Sequence, residues 1–405
     1  LNAGTVSEPY LFNGYHRRMV HLAHESDQTV TFHIEIDRAG TGDWELLKTI
    51  EMPPRGYRWH IFGEEVKGQW IRLKSDSRVQ SATAWFHYND KYKRDTISAS
   101  IFDGLSGEKG KEWSGAILWA LGNNQRKLGV NAYEQTGEKV RQLGYYELDS
   151  NLILQKKNNT EMQKRVQKAA PKENNIVIDE ASVIVRGEND DQQYRFPKRI
   201  KDYTLDTTFG WPRIAREVVT ERDLMNCAGT FYELPSRMAG GIGRVRPIAT
   251  HNFRIYDFVS YRGLLVMSGV ASKYSHSENR HIIASQDSNI ALWAGALDDI
   301  WKLGKPRGVG GPWKNTMVKA GQPSDPYLMT GYDKKMMILD HDAKNTVTFK
   351  VEVDITGKGT WKTYKNLEVD PGASFEHIFP GGYSAYWVRV TTDQTCKATA
   401  IFHYK

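Results

Sequence analysis

Gly4, Ser7, Pro9, Tyr10, Gly14 and Tyr15 near the start of the chain return as Gly321, Ser324, Pro326, Tyr327, Gly331 and Tyr332 near its end, at one constant offset. His24, Val30, Thr31, Phe32, Glu35, Asp37, Gly40, Gly42 and Trp44 match His341, Val347, Thr348, Phe349, Glu352, Asp354, Gly357, Gly359 and Trp361 in the same register. So do His60, Phe62, Trp70 and Arg72 against His377, Phe379, Trp387 and Arg389. One residue then drops out, and Ala82, Thr83, Ala84, Phe86, His87 and Tyr88 correspond to Ala398, Thr399, Ala400, Phe402, His403 and Tyr404. Residues 4–88 and 321–404 are two copies of one module.

Within the first copy, runs that alternate apolar and polar residues fall at 18–22, 29–36, 44–50, 57–62, 69–73 and 82–88. A period of two is what a strand with one buried face requires. The stretch 37–44, with Gly40 and Gly42 between two such runs, predicts a hairpin loop. A calcium loop needs further carboxylates at alternate positions, and these are missing. His24, His60 and His87 recur in the second copy, which points to packing or turn roles, because a single active site has no use for both sets.

The 405 residues can bury a large core and allow one large β architecture or two to three domains. Charged residues make up 25% and hydrophobic ones 40%, and the apolar stretches, such as 263–270, are far too short to span a bilayer. The net charge of +7 favours acidic partners, but apart from a cluster at 156–172 the basic residues are spread along the chain. No nucleic-acid-binding module accompanies them. Cys227 and Cys396 are the only cysteines, which predicts two separate buried thiols rather than a disulfide framework or metal pattern. The first residue is Leu1, which fits a mature or trimmed form, and a secreted or periplasmic location is the expectation.

Fainter echoes lie in the middle. Leu118-Trp119-Ala120 resembles Leu292-Trp293-Ala294, while Tyr146-Glu147-Leu148, Tyr232-Glu233-Leu234 and Tyr194-Arg195-Phe196 each have the character of a strand end. Echoes at several scales, all in short strands, predict an all-β chain, and a single β-propeller over residues 1–405 of about five to seven blades is the preferred architecture. The alternative is a pair of seven-stranded β-sandwich modules flanking a central β domain. Residues 155–175 are polar and basic and predict a solvated insertion with a short exposed helix, capped by Thr160 with Gln163 and ended by Pro171. A basic docking arm is the sharper possibility for the same segment.

Polar side chains that carry chemistry are densest after Gly210. Trp211, Arg213, Arg216, Glu217, Glu221, Arg222 and Asp223 are followed by Glu233, Arg246, Thr250-His251-Asn252 and Asp257. Glycoside hydrolysis needs two carboxyl groups, one protonated as acid and one ionised as base or nucleophile, with pKa values pushed apart by burial and neighbouring charge. Glu217, Glu221, Glu233 and Asp257 are the candidates, with His251 as an alternative base. Arg213, Arg216, Arg222 and Arg246 could grip a charged sugar bidentately. Against this, Arg and Glu alternating on strands commonly form cross-strand ion pairs. Farther on, Arg307, Trp313 and Trp211 are candidates for holding sugar rings, and packing between sheets is the competing role for the tryptophans. Gly308, Gly310 and Gly311 open a loop without a phosphate-binding pattern. His276, Glu278 and His281 have ligand-type side chains at no zinc spacing, so no metal is assigned to them.

The run from Gly210 through Tyr232-Glu233-Leu234-Pro235, Thr250-His251-Asn252 and residues 302–313 is similar to large uncharacterised β-propeller proteins of polysaccharide-degrading bacteria. That resemblance implies a glycan context and supplies no site residues. The expectation is a carbohydrate-active enzyme, a glycoside hydrolase acting on an acidic or complex polysaccharide fragment. A polysaccharide lyase and a non-catalytic glycan-binding or scaffold propeller are the alternatives. The partner is then an oligosaccharide or polysaccharide, with no nucleic acid and no membrane span. No cofactor is expected; a structural divalent cation stays open.

Overall fold

The structure, a computed structural model, describes residues 2–90, 93–107, 112–122, 125–137, 139–169, 176–186, 192–199, 215–219, 222–272, 274 and 278–405. It is all-β, with one short α-helix and a few 3-10 turns among the described residues. In place of one continuous body over 1–405, the chain forms two compact units, residues 1–93 with 315–400 and residues 94–314 with 401–405.

The first unit is built from the duplicated modules. In the first copy, Tyr10–Leu11, Trp70–Ser75, Val30–Asp37 and Trp44–Met52 form one antiparallel sheet, and Tyr57–Phe62, Arg17–Ala23 and Thr83–Asn89 form another. Val20, Leu22 and Phe62 from one sheet and Phe32, Ile34, Ile36, Ile71 and Leu73 from the other share a single apolar core. The two sheets therefore face each other, and the module has the seven strands of the sandwich alternative. The second copy repeats the first sheet as Tyr327–Leu328, Trp387–Thr392, Val347–Asp354 and Trp361–Val369, and places Lys335–His341 between Phe375–Ile378 and Cys396–Tyr404. A module closes on itself because its inward residues come from both sheets, so each sheet covers the apolar face of the other.

The residues that recur hold each module in shape. Asp37 accepts the backbone N–H groups of Gly40 (2.7 Å), Thr41 (3.3 Å) and Gly42 (2.8 Å), and Asp354 does the same for Gly357 and Gly359. The loop is a hairpin, and donors already occupy the oxygens a calcium ion would need. Burial works to raise the Asp37 carboxyl, but the N–H groups of Gly42, Gly40 and Thr41 outweigh it and hold it low. Arg72 donates to Glu35 and lies 4.2 Å over the Trp44 ring; Arg389 pairs with Glu352 and lies 4.3 Å over Trp361. His24 accepts from Ser26 N and His341 from Ala343 N, the turn role expected of them.

One matched position carries different cations. Arg18 donates to the carbonyls of Phe12, Gly63 and Val66. Lys335 stands at the same place and donates to the carbonyls of Tyr332 (2.7 Å) and Tyr383 (2.9 Å). The copies meet through His21 and Arg17, which do not recur, and through His87, which returns as His403. His21 donates from Nε2 to the Ser384 carbonyl (2.9 Å) and accepts the Tyr57 hydroxyl at Nδ1. His87 donates to the Ile355 carbonyl, and Arg17 pairs with Asp333.

The second unit carries short antiparallel sheets. Glu112–Leu121, Lys127–Thr136, Lys139–Leu148 and Leu154–Lys156 run as a meander joined by Val270–Ala271; Ala215–Val219, Arg222–Cys227, Thr230–Pro235 and Arg246–Thr250 form another. Phe258–Tyr261, Leu264–Met267, Ala291–Gly295 and Ile282–Ala284 make a third sheet. The three-residue echoes that begin at Tyr146, Tyr194 and Tyr232 each end on the last residue of a strand or one short of it. Two apolar clusters, around Phe231, Phe258 and Trp293 and around Leu118, Leu148 and Leu292, fill the spaces between sheets.

The helix expected in the 155–175 insertion spans Thr160–Lys168, and its cap is Asn159, which accepts Met162 N. It is not a solvated excursion. Val166 is buried, and the Gln167 side chain accepts from Asn131 on the neighbouring sheet. The buried amide at Asn131 needs a partner, and the helix supplies one. Pro171 lies outside the described residues. Cys227 and Cys396 are separate buried thiols.

Candidate functional site

The hairpin between Arg222–Cys227 and Thr230–Pro235 turns at Ala228 and Gly229, both at positive φ (50° and 81°). This is the mirror-type turn that suits the twist of a hairpin. A Cβ on Gly229 would lie 3.0 to 3.2 Å from the Arg199 side chain, so the glycine makes room for that arginine. The Arg199 backbone N–H is tied to the Ala228 carbonyl, and the His251 N–H to that of Gly229. Across the sheet, the hydroxyls of Thr230 and Thr250 meet at 2.8 Å, and Thr250 also accepts the Arg307 N–H at 3.1 Å. Three distant pieces of chain converge on one turn.

At that turn the side chain of Asn252 is exposed, and its Oδ1 accepts from two guanidinium groups, Arg199 at 2.8 Å and Arg307 at 3.2 Å. Arg199 also donates to the His251 carbonyl and Arg307 to the Thr96 carbonyl. Arg199 is buried and Arg307 half-buried. Burial, and then the Arg199 charge, draw the Arg307 guanidinium below its usual range. Among the described residues no carboxylate is within ion-pair distance of Arg307. Arg307 therefore holds its charge beside a neutral, exposed amide, and an anion at Asn252 would compensate it. A guanidinium has five N–H donors, so capacity remains at Arg307.

His251 sits beneath this cluster. Its Nε2 faces Asn226 Oδ1 at 3.1 Å and its Nδ1 accepts the Phe253 N–H. Burial, with the Arg199 charge beside it, pushes the imidazole down to about 3. It is a neutral framework group whose two ring nitrogens are engaged, and a weak base. The expectation of a catalytic His251 is corrected on these grounds.

The predicted carboxylates do not share a pocket. Asp257 is 0% exposed; it accepts the Leu118 N–H (2.8 Å) and its neighbour's N–H, with Arg216 at 3.6 Å. Arg216 in turn donates to the Phe258 and Leu118 carbonyls, so the pair stitches three sheets together in the interior. Glu233 faces Arg246 across adjacent strands at 3.3 Å, an ion pair at the surface. Glu217 is exposed and stands directly opposite Asp223 in the strand register. Burial, and then the Glu217 charge, raise Asp223. Trp313 is buried, which makes it a packing residue. Trp211, Arg213, Glu221 and the side chain of Arg222 lie outside the described residues, as does His276. His281 donates to the Ala294 carbonyl and stacks on Trp293.

Of the predicted binding residues, Arg307 is the one the structure brings to an anion-suited place, next to the predicted Thr250-His251-Asn252 turn. Arg199 was missed; its only signal was the basic pair Lys198-Arg199 after Pro197. Among the described residues, no three His, Cys, Asp or Glu are placed to hold a metal ion, and no helix is long and apolar enough to cross a membrane.

No family model matches the chain, and no curated protein matches it. Among solved structures, the chain is similar to a glycoside hydrolase family 32 structure from Bifidobacterium adolescentis, 7% identical over 98% of each chain, with a TM-score of 0.16. A part amounting to 24% of the chain is similar to 84% of the chain in the crystal structure of PirA, at 13% identity and a TM-score of 0.15. At such TM-scores neither likeness carries an argument.

Proposed function

We propose that this protein recognises an acidic saccharide, taking a carboxylate of the sugar at Arg307 and Arg199 beside Asn252. The carrying observation is the convergence of two guanidinium groups on one exposed amide oxygen, with no carboxylate within ion-pair distance of Arg307 among the described residues. The net charge of +7 favours the same class of ligand. Calorimetric titration with a uronate oligosaccharide and with its carboxyl-reduced form tests the reading. The acidic form should bind, the reduced form should bind at least about tenfold more weakly, and Arg307→Ala should erase the difference. Equal binding of the two forms by the unaltered protein would sink it.

Hydrolysis is a second reading, and the facing pair Glu217 and Asp223 favours it. As directly opposite cross-strand partners with Cβ atoms about 5 Å apart, the two side chains are close enough to work on one glycosidic bond. Asp223 is raised, as an acid should be, while Glu217 is exposed to water. The pair lies four residues along Thr230–Pro235 from the Thr230 end, about 13 Å at the usual rise per residue. The carboxylate grip and the scissile bond would then fall on different sugar units of one chain. Reducing-end release from acidic oligosaccharides, lost in Asp223→Asn and in Glu217→Gln, is the expected result; release that survives both substitutions removes this pair from the reaction.

A further inference from the structure

Ser26, Asp27 and Gln28, in the loop before Val30–Asp37, and residues 77–80, in the loop after Trp70–Ser75, line a cleft of about 430 Å³ in the first module. Asn2 completes its lining. The two loops are bonded to each other: Ser26 Oγ accepts the Gln80 N–H at 2.9 Å, and the Gln80 carbonyl accepts the Glu25 N–H at 3.0 Å. The Ser26 carbonyl takes the Arg55 N–H at 2.8 Å from a third loop. Backbone bonds therefore frame the cleft, and its lining has two characters. Val30 and Val79 belong to the buried apolar core of the module and supply a hydrophobic base. Asn2, Gln28, Ser77 and Gln80 present amides and a hydroxyl that make no side-chain hydrogen bond among the described residues. Of the charged groups in the lining, Asp27 pairs with Arg55 at 2.7 Å and Arg78 is exposed; one carboxylate and one guanidinium leave the lining without net charge.

The fold of the module does not require this arrangement. In the second copy Ala343, Lys344 and Asn345 stand for Ser26, Asp27 and Gln28, and the chain is one residue shorter between Asp393 and Ala398 than between Asp76 and Ala82. Gln394, the counterpart of Ser77, donates from Nε2 to the Thr346 carbonyl at 2.7 Å, and Thr395 Oγ1 accepts the Ala320 N–H at 3.1 Å. Polar side chains of this loop bind the module's own backbone in one copy and line a cleft in the other. The amides of the first copy are thus not needed to hold the module together.

We propose that this cleft is a second saccharide site, which takes a neutral sugar unit by hydrogen bonds. Its size falls in the range of small-ligand clefts, which begins at about 300 Å³. A side-chain amide sets a donor beside an acceptor, and adjacent ring hydroxyls, each able to give and take a hydrogen bond, match that pair. Asn2, Gln28 and Gln80 offer three such amides, while Val30 and Val79 suit the C–H face of a ring. The balance of Asp27 and Arg78 favours an uncharged ligand, in contrast to the unpaired charge at Arg307. Only the saccharide class of the ligand rests on the function proposed above. The site itself lies within the first unit and shares no residue with Arg199, Asn252 and Arg307.

Ligand-observed NMR titration of the full chain with a carboxyl-reduced uronate oligosaccharide, which is neutral, tests the proposal. The unaltered protein and Arg307→Ala should bind it equally, and high salt should leave its affinity unchanged. Gln28→Ala and Gln80→Ala should each weaken it about fivefold, the size of one hydrogen bond. Ser77→Gln, which installs the side chain of the second copy, should weaken it about tenfold or more by turning onto the backbone as Gln394 does. All of these variants change loop residues and should keep the circular dichroism spectrum of the parent. Absence of binding by the unaltered protein overturns the proposal, and so does binding that ignores all three cleft substitutions. Binding of the neutral sugar that disappears in Arg307→Ala overturns it too, and assigns that sugar to the Arg307 site. Conversely, equal binding of the acidic and reduced forms, lost with Gln28→Ala and Ser77→Gln, would sink the carboxylate grip at Arg307 and leave the cleft standing.

Discussion

The two copies of the module agree at most residues that hold the module together and differ at His21 and Arg17, through which they meet. Asp37 and Asp354 close the same loop, and the Arg72 and Arg389 guanidinium groups lie over equivalent tryptophans at nearly equal distances. At the caged cation the agreement is partial. Arg18 and Lys335 occupy one position and meet equivalent carbonyls, those of Val66 and Tyr383, yet one cation is permanent and the other can lose its charge. Burial, and then the charge of Arg17, draw Lys335 down to about 7. The copies thus teach which interactions the fold cannot do without: a donor to those carbonyls is required, and its charge is not.

Removing the donors is the strongest way to break this comparison. Arg18→Met orphans up to three carbonyls and should cost about 4 kcal/mol, whereas Lys335→Met orphans two and should cost about 2 kcal/mol. Urea unfolding of the two variants measures the difference. Equal losses would mean that the cages are not equivalent.

Acid should open the junction between the copies next. Burial first, then a charge-sharing neighbour in His87, lowers His21 to about 3, and burial lowers His87 to about 4. Both are neutral when folded, while unfolded they take up protons near 6.5. Stability is therefore fully present above pH 6.5 and falls as pH drops from there toward 3 to 4. His21 alone should account for on the order of 3 kcal/mol at pH 4. Thermal unfolding of the unaltered chain and of His21→Gln at pH 7 and pH 4 checks the sign; a variant that loses as much on acidification as the parent would remove His21 from the account.

The smallest effect sharpens the comparison at the surface. Arg389→Lys and Arg72→Lys keep the charge and lose the planar stacking on Trp361 and Trp44, and each should cost about 0.5 to 1 kcal/mol. Matching values in the two copies, read from denaturant midpoints, would show that this trio works alike in both.

Much of the fold could be read from residue order. Period-two alternation made Val30–Asp37 and its neighbours strands, and paired glycines made 37–44 a hairpin, because those choices depend on residues a few positions apart. The candidate site was legible only in part. Arg307 and the Thr250-His251-Asn252 turn stood out as polar residues, but Arg199 enters from 53 positions before Asn252. Asp257 and His251 had the right side chains for catalysis and were placed where no substrate reaches.

By itself the sequence determined the all-β class, the duplication and the local devices that recur, since each follows from backbone alternation and short-range hydrogen bonding. Only the tertiary structure decided that each module folds its seven strands into two facing sheets, and which polar residues are sealed inside. It also decided that Tyr10 and Tyr327, the same residue in the same local pattern, differ in exposure by nearly half of the side chain's range. The physical reason is that burial is set by what lies across a surface, and nothing in a residue's own neighbourhood along the chain specifies that.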